Sequence, residues 1–459
     1  MASESPDNVA SPANAGTSRL AARPATAATT GRQWWRRNWF ILMPLFVYLA
    51  TYAVVFPGID SPDAAAQRTQ YATWTFDKQH SILDTFFLGL IGRNELWLDN
   101  LLQVLIFSAC ILTALAVLAN KVSRRVLLLT TLAWTFYPLF PAYAVSSTKD
   151  VLCAGFTLLL CVEVFEIIDT KAAILMRPWF LAGMGLTLFV VNELRKNNFI
   201  FVVAIIVYLL IRFRRSWKRL LAPLLIFAIL TGAWGLYCDK TLKASPSPTT
   251  EMLGVPLMQV SYIYYRDSHG DPQDIPAEAD AYFQSFRPQS EWSANYDAQR
   301  LVVMSNKLHS LTNEDLPEFL GHWSSMCFAN LGTCVEGYLL FEGSLLNPLQ
   351  VTDDQYSIIA AVQGIDKQDG ARSALAIPAR LAFNLAVLDW MLIGLAILAC
   401  RRGRRELLPL FLIPLGIAVS LMLAALAVQI RLMLGAIILI PFLAALILGQ
   451  PRAPASDPA

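Results

Sequence analysis

Apolar runs of about twenty residues, cut apart by short basic linkers, limit what this chain can become. In hydrocarbon a segment must bond its own backbone polar groups, so such runs fold as helices. Length and flanking charge mark about ten of them, at 39–56, 97–118, 126–143, 150–168, 178–192, 198–212, 219–237, 378–399, 407–428 and 431–449. Composition agrees: of the 459 residues 15% are charged and 56% hydrophobic, whereas a soluble protein carries about 25% charged residues. A net charge of +2 gives nucleic-acid binding no electrostatic support. The expected fold is an all-α polytopic membrane protein.

The linkers give an orientation. Arg32, Arg36 and Arg37, beside Trp34, Trp35 and Trp39, place the start of the first run on the cytoplasmic side. The basic linkers then fall where that start requires: Lys121, Arg124 and Arg125; Lys171 and Arg177; Arg212, Arg214, Arg215, Lys218 and Arg219; Arg401, Arg402, Arg404 and Arg405. This predicts a multi-pass protein of the cell membrane with both termini cytoplasmic. Residues 1–31 and 450–459 are expected to be tails, the first disordered and rich in Ala, Ser, Thr and Pro. The first run starts too late for a cleavable signal and is long enough to span. Residues 32–237 form an amino-terminal membrane module, 238–377 an outside domain, and 378–449 the closing membrane helices.

The outside segments carry the chemistry. Loop 57–96 sets Asp60, Asp63, Gln67, Asp77 and His80 just past a membrane edge, where carboxylates are costly unless paired or functional. Cations stand on the same side, where the charge rule disfavours them: Lys149, Arg195, Lys196 and Arg431. Arginine clamps phosphate oxygens in pairs and lysine acts as a point charge, so the cluster suits an anionic lipid phosphate. Each residue also has a plainer reading. Asp63 follows Ser61 and Pro62 and would be a turn residue or the cap of a helix over 64–71, with Gln67 one turn on. Asp150 would cap the next helix or pair with Lys149, and Arg195 and Lys196 would snorkel from a helix end. His80 would be a structural hydrogen-bonding group. In the outside domain a helix is expected over 291–309. Tyr262, Tyr264 and Tyr265 would pack in a core, as a strand by their spacing, or stack on sugar rings.

The seven cysteines make no CxxC metal spacing. Cys327 and Cys334 lie on the oxidising side and are either a disulfide or two free thiols. Asp60 and Asp63 could hold a divalent cation, but two carboxylates do not identify one. His269, His309 and His322 are scattered and give no metal site.

The motifs taken together, namely PGxxSPDxxxQ at 57–67, His80, SSTKDVL at 146–152, ELRKNN at 193–198 and ExLGVPLMQ at 251–259, resemble bacterial GT-C-type integral-membrane glycosyltransferases. The nearest likeness is to a branch akin to protein O-mannosyltransferases and lipid A aminoarabinose transferases. It covers residues 33–448. The chain departs from that pattern at Ser81, after His80, where a proline is usual, and at Leu432, after Arg431, where an aromatic is usual. The resemblance implies a polyprenyl-phosphate sugar donor, an extracytoplasmic cell-envelope acceptor and inversion at the anomeric carbon. Asp63 is the position it marks for the base, with Asp60 second. Lys149, Asp150, Arg195, Lys196, Arg431, His80, Gln67 and Gln259 would bind substrate. For the base, a carboxylate raised by partial burial is expected. A transporter or flippase of a lipid-linked sugar is the alternative; it would need charges along a path through the spans, where only Glu163 and Asp389 lie mid-run.

Overall fold

A computed structural model describes residues 31–296, 311–350, 382–424 and 428–449. The expected tails at 1–31 and 450–459, apart from Gly31, lie outside these residues, as do His309 and most of the expected helix over 291–309. The chain divides into two units, Met1–Trp39 and Phe40–Ala459. In the first, the described residues form the helix Gly31–Asn38, with Arg36 and Arg37 in its last turn.

Among the described residues six helices are long and apolar enough to cross a membrane: Arg36–Val54, Leu96–Ala119, Lys149–Asp169, Arg214–Thr241, Arg405–Leu423 and Ile430–Leu448. The other four expected spans are shorter helices. The run at 126–143 is Arg124–Phe136 and Leu139–Ala144, divided at Pro138, which has no backbone N–H to continue the ladder. The runs at 178–192, 198–212 and 378–399 are described as Pro178–Leu194, Phe199–Arg212 and Leu385–Arg401.

The elements that position the site are these, in chain order. Strand β1 (Ile59–Asp60) leads into helix α1 (Pro62–Thr73); α2 (Ile82–Phe86) and α3 (Leu96–Ala119) follow. Strand β2 (Ser146–Ser147) leads into α4 (Lys149–Asp169), and then comes α5 (Pro178–Leu194). Beyond residue 240 lie α6 (Gly254–Ser268), α7 (Leu316–Ala329), α8 (Leu331–Leu346), α9 (Leu385–Arg401), α10 (Leu412–Ala424) and α11 (Ile430–Ile437). Helix α4 is central: it is buried along most of Val151 to Ile167 and packs on α3, α5 and α11.

The two strands are two residues each and pair in parallel, Ile59 with Ser146 and Asp60 with Ser147. A buried glutamine keeps the second in place. Gln103 of α3 donates from Nε2 to the carbonyls of Ala144 (3.1 Å) and Ser146 (2.8 Å) and accepts from the Thr148 N–H (3.3 Å). Such bonds replace water for backbone groups that end a helix inside the fold.

A second core gathers Met258, Tyr262, Tyr264, Phe283, Trp292, Phe319 and Phe341. The tyrosines sit on helix α6, so their alternate spacing is not that of a strand, and Tyr262 and Tyr264 are buried packing residues. Cys327 and Cys334 are joined in a disulfide across the α7–α8 turn, with Cα atoms 5.6 Å apart.

Candidate functional site

Loop 57–96 is fixed by its own caps. Ser61, not Asp63, is the N-cap of α1: its hydroxyl accepts from the Ala64 N–H at 3.1 Å, and Pro62 occupies the first helical position. Asp63 is thereby free to reach across the fold. Its Oδ2 accepts from Arg431 Nη1 at 2.6 Å, a pair spanning 368 positions in sequence. Both side chains are part-buried, 26% and 32% exposed. Arg431 Nε also donates to Gln429 Oε1 at 2.8 Å.

The same rule resolves Asp150. Thr148 caps α4, accepting from the Asp150 N–H at 3.4 Å, and the Asp150 side chain lies buried in the first turn. Arg195 Nη1 stands 3.6 Å from Asp150 Oδ1 and donates to the Leu432 carbonyl at 2.8 Å. Leu432 thus serves through its backbone, tying α11 to the linker after α5. Lys149 is half-buried and makes no ion pair among the described residues, including none with Asp150. Its charge nevertheless acts on Asp63, His80 and Glu251.

These charges set the protonation states. Burial pushes the Asp63 carboxyl up, but the Arg431 charge and hydrogen bond, with His80 and Lys149, outweigh it and hold the group below the usual carboxylate range. This corrects the expectation of a raised base: the chain supplies a guanidinium in direct contact, and contact outweighs partial desolvation. Burial, with the Lys149 charge, lowers His80 against the opposing pull of Asp63 and Asp77. Glu251, from the turn before α6, is raised by burial, while a hydrogen bond from Gln79 and the Lys149 charge oppose the shift.

The remaining expected residues serve other contacts. Asp60 is bound by Arg68 at 2.7 Å. Gln67 is fully buried and donates to the Ser81 carbonyl (3.0 Å) and Thr85 Oγ1 (3.2 Å), so it joins α1 to α2. Lys196 pairs with Glu193, whose Oε1 accepts from Asn192 at 3.0 Å. Gln259 is in the second core, donating to the Cys334 carbonyl and accepting from Trp323, each at 2.9 Å. Ser81, where the resemblance expects proline, caps α2 and donates to the Glu193 carbonyl at 2.8 Å.

Sequence reading missed Arg68 and Asp99. Arg68 donates to Asp99 Oδ2 from Nη2 (2.7 Å) and Nε (3.1 Å), and to Ser147 Oγ (3.1 Å). With the Asp60 bond, one guanidinium clamps β1, β2 and α3 together. The available signal was a charged residue, Asp99, just inside an apolar run.

The residues present do not fit a divalent cation. Asp60 and Asp63 are each engaged by a guanidinium, and the described residues include no group of three His, Cys, Asp or Glu placed to hold a metal ion.

Fold and site together define a helical protein with several helices fit to cross a membrane and an acid–cation cluster where two short strands end. The chain belongs to DUF6020, a family of unknown function, whose sequence pattern matches residues 95–356. That stretch holds Lys149, Asp150, Arg195 and Glu251 and stops short of Asp63 and Arg431. No curated protein and no solved structure matches the chain.

Proposed function

We propose that the chain is a GT-C-type glycosyltransferase of the cell membrane, moving a sugar from a polyprenyl-phosphate donor to an extracytoplasmic acceptor with inversion. The observation that carries the reading is the contact of Asp63 with Arg431, with the charge of Lys149, which has no ion pair among the described residues, also acting on the carboxylate. An acid in contact with one cation and within the field of a second is what a single displacement from a phosphate-linked sugar requires. The acceptor oxygen bonds to the anomeric carbon as the bond from that carbon to the phosphate oxygen breaks. The hydroxyl proton passes to Asp63, and polyprenyl phosphate departs against Arg431 and Lys149.

A low resting affinity for protons suits this order of events. Arg431 holds Asp63 ionised until a phosphate competes for the guanidinium. Asp63 then keeps its burial but shares its counter-charge, and its basicity rises where it is needed. Arg195 steadies the backbone of Leu432, next to Arg431, and so acts by positioning.

The test is sugar transfer in lipid nanodiscs supplied with polyprenyl-phosphate sugars and membrane acceptors. Wild-type protein releases polyprenyl phosphate, and Asp63→Asn lowers the rate by about a hundredfold or more, as for loss of a general base. Normal turnover by Asp63→Asn removes the assignment. Donor transported without cleavage favours the flippase alternative.

A further inference from the structure

Helix α8 has three faces, and one is out of place on a domain surrounded by water. Its inner face buries Cys334, Gly337, Phe341 and Leu345. At Gly337 a Cβ would come within 2.8 Å of the Tyr262 ring, so α8 presses closely on α6 there. A second face carries Glu336, which accepts from Arg266 at 2.8 Å. The third consists of Leu331, Val335, Leu339 and Leu346, at helical spacings that place them in one stripe. Each is 43–59% exposed, and Phe328, three residues earlier at the end of α7, is 78% exposed. Glu342 shares that sector by spacing but is buried. The five side chains expose roughly 500 Å² of apolar surface, near the top of what a water-facing monomer shows in one patch.

The surroundings indicate what covers it. Tyr338 donates to the carbonyl of Met422 at 3.3 Å, next to the end of the candidate span Arg405–Leu423. Trp390 of α9 donates from its indole to the Leu346 carbonyl at 2.9 Å. The apolar surface of α9 is open as well, at Trp390, Ile393 and Ile397. Helix α8 therefore meets α9 and α10 toward the ends away from Arg401, Arg402, Arg404 and Arg405, and both of those helices also leave apolar side chains open, Ile393 and Ile397 on one, Leu415 and Leu423 on the other. A tryptophan with its N–H bonded at such a boundary is typical of the headgroup level.

We propose that α8 is an interfacial helix, with Leu331, Val335, Leu339, Leu346 and Phe328 sunk into the acyl chains of the bilayer, so that the segment expected to be an outside domain is seated on lipid. The depth is about 5–10 Å below the headgroup boundary. This rests on the six apolar helices crossing a membrane and is independent of the transfer chemistry. Because α6 packs on α8, the seat also fixes the height of the Glu251 turn above the membrane.

The experiment uses the full chain with Cys400→Ser, which removes the exposed native thiol, reconstituted in phosphatidylcholine nanodiscs. Nitroxide labels are placed singly by Val335→Cys and Leu339→Cys on the stripe, by Ala281→Cys at an exposed position of the separate helix Ala277–Phe286, and by Ile229→Cys on the exposed face of Arg214–Thr241. Power saturation should give labels at 335, 339 and 229 an oxygen-to-nickel-chelate accessibility ratio about threefold or more above that at 281, as expected for acyl chains. If 229 reads as lipid-facing while 335 and 339 match 281, the interfacial seat is wrong and the membrane reading stands. If 229 also reads as water-exposed, the membrane reading itself falls. Shielding of 335 and 339 from both reagents means that another protein surface covers the stripe, which overturns the proposal too.

Discussion

Arg68 is the residue whose loss should be felt most outside the acid–cation cluster, and the size of the effect follows from its partners. Its side chain is 10% exposed and binds Asp99, which is 0% exposed, and Asp60, which is 40% exposed. Arg68→Met keeps most of the apolar stem but leaves Asp99 buried without a counter-charge, which costs about 3–5 kcal/mol. The more exposed Asp60 pair adds about 0–1 kcal/mol. A destabilisation of about 4 kcal/mol is therefore expected. Adding Asp99→Asn removes the stranded charge, and the remaining deficit should shrink to about 1–2 kcal/mol, the scale of lost hydrogen bonds. The variants can be compared by tryptophan fluorescence during SDS titration from mixed micelles. The reasoning fails if Arg68→Met unfolds at the wild-type midpoint. It also fails if the double variant is no more stable than the single one, since the cost would then lie in packing and not in an unpaired charge.

Other outcomes can be stated more briefly. In Arg431→Gln the cation holding Asp63 low is gone and burial remains, so the acidic limb of the pH–rate profile should move to higher pH; an unmoved limb would detach Asp63 from the profile. Because the Asp63 carboxyl is depressed on folding, its stabilising contribution is complete above the unfolded value of about 3.9 and is lost as pH falls through the lower folded value. Asp63→Asn should therefore flatten the acid side of a plot of melting temperature against pH. Replacing Cys327 and Cys334 by serine opens a loop with a sequence separation of 7, and should cost about 2 kcal/mol in the same SDS titration. Lys149→Ala should weaken the apparent affinity for the lipid-phosphate donor by about tenfold, as for one charge-assisted contact, without altering the unfolding midpoint.

Much of this was legible in the chain because it is written locally. Apolar runs are short-range signals, and the side on which each linker falls groups Asp63, Lys149, Arg195 and Arg431; the cap of α1 was misplaced by two positions, since Ser61 and not Asp63 holds it. What stayed hidden depends on distance. Nothing near Asp63 in sequence announces Arg431, and Arg68 looks like a solvent-facing helix residue until Asp60, Asp99 and Ser147 are placed around it. The state of Asp63 could not be inferred for the same reason, since its sign turns on which partner touches it. Span lengths were overdrawn where hydrophobicity continued through a helix end, as at Tyr137 and Pro138. The tyrosines at 262, 264 and 265 misled by spacing alone, because a helix buried on most of its surface carries no clear period.

The two-residue ladder between β1 and β2 couples counting to chemistry. From its last rungs, three positions lead to Asp63 along one chain segment and two to Lys149 along the other. A helix turns by about 100° for each residue, so one amino acid gained or lost in either connection would swing the acid or the lysine out of register with its counterpart. This corner of the protein should accept changes of letter far more readily than changes of length.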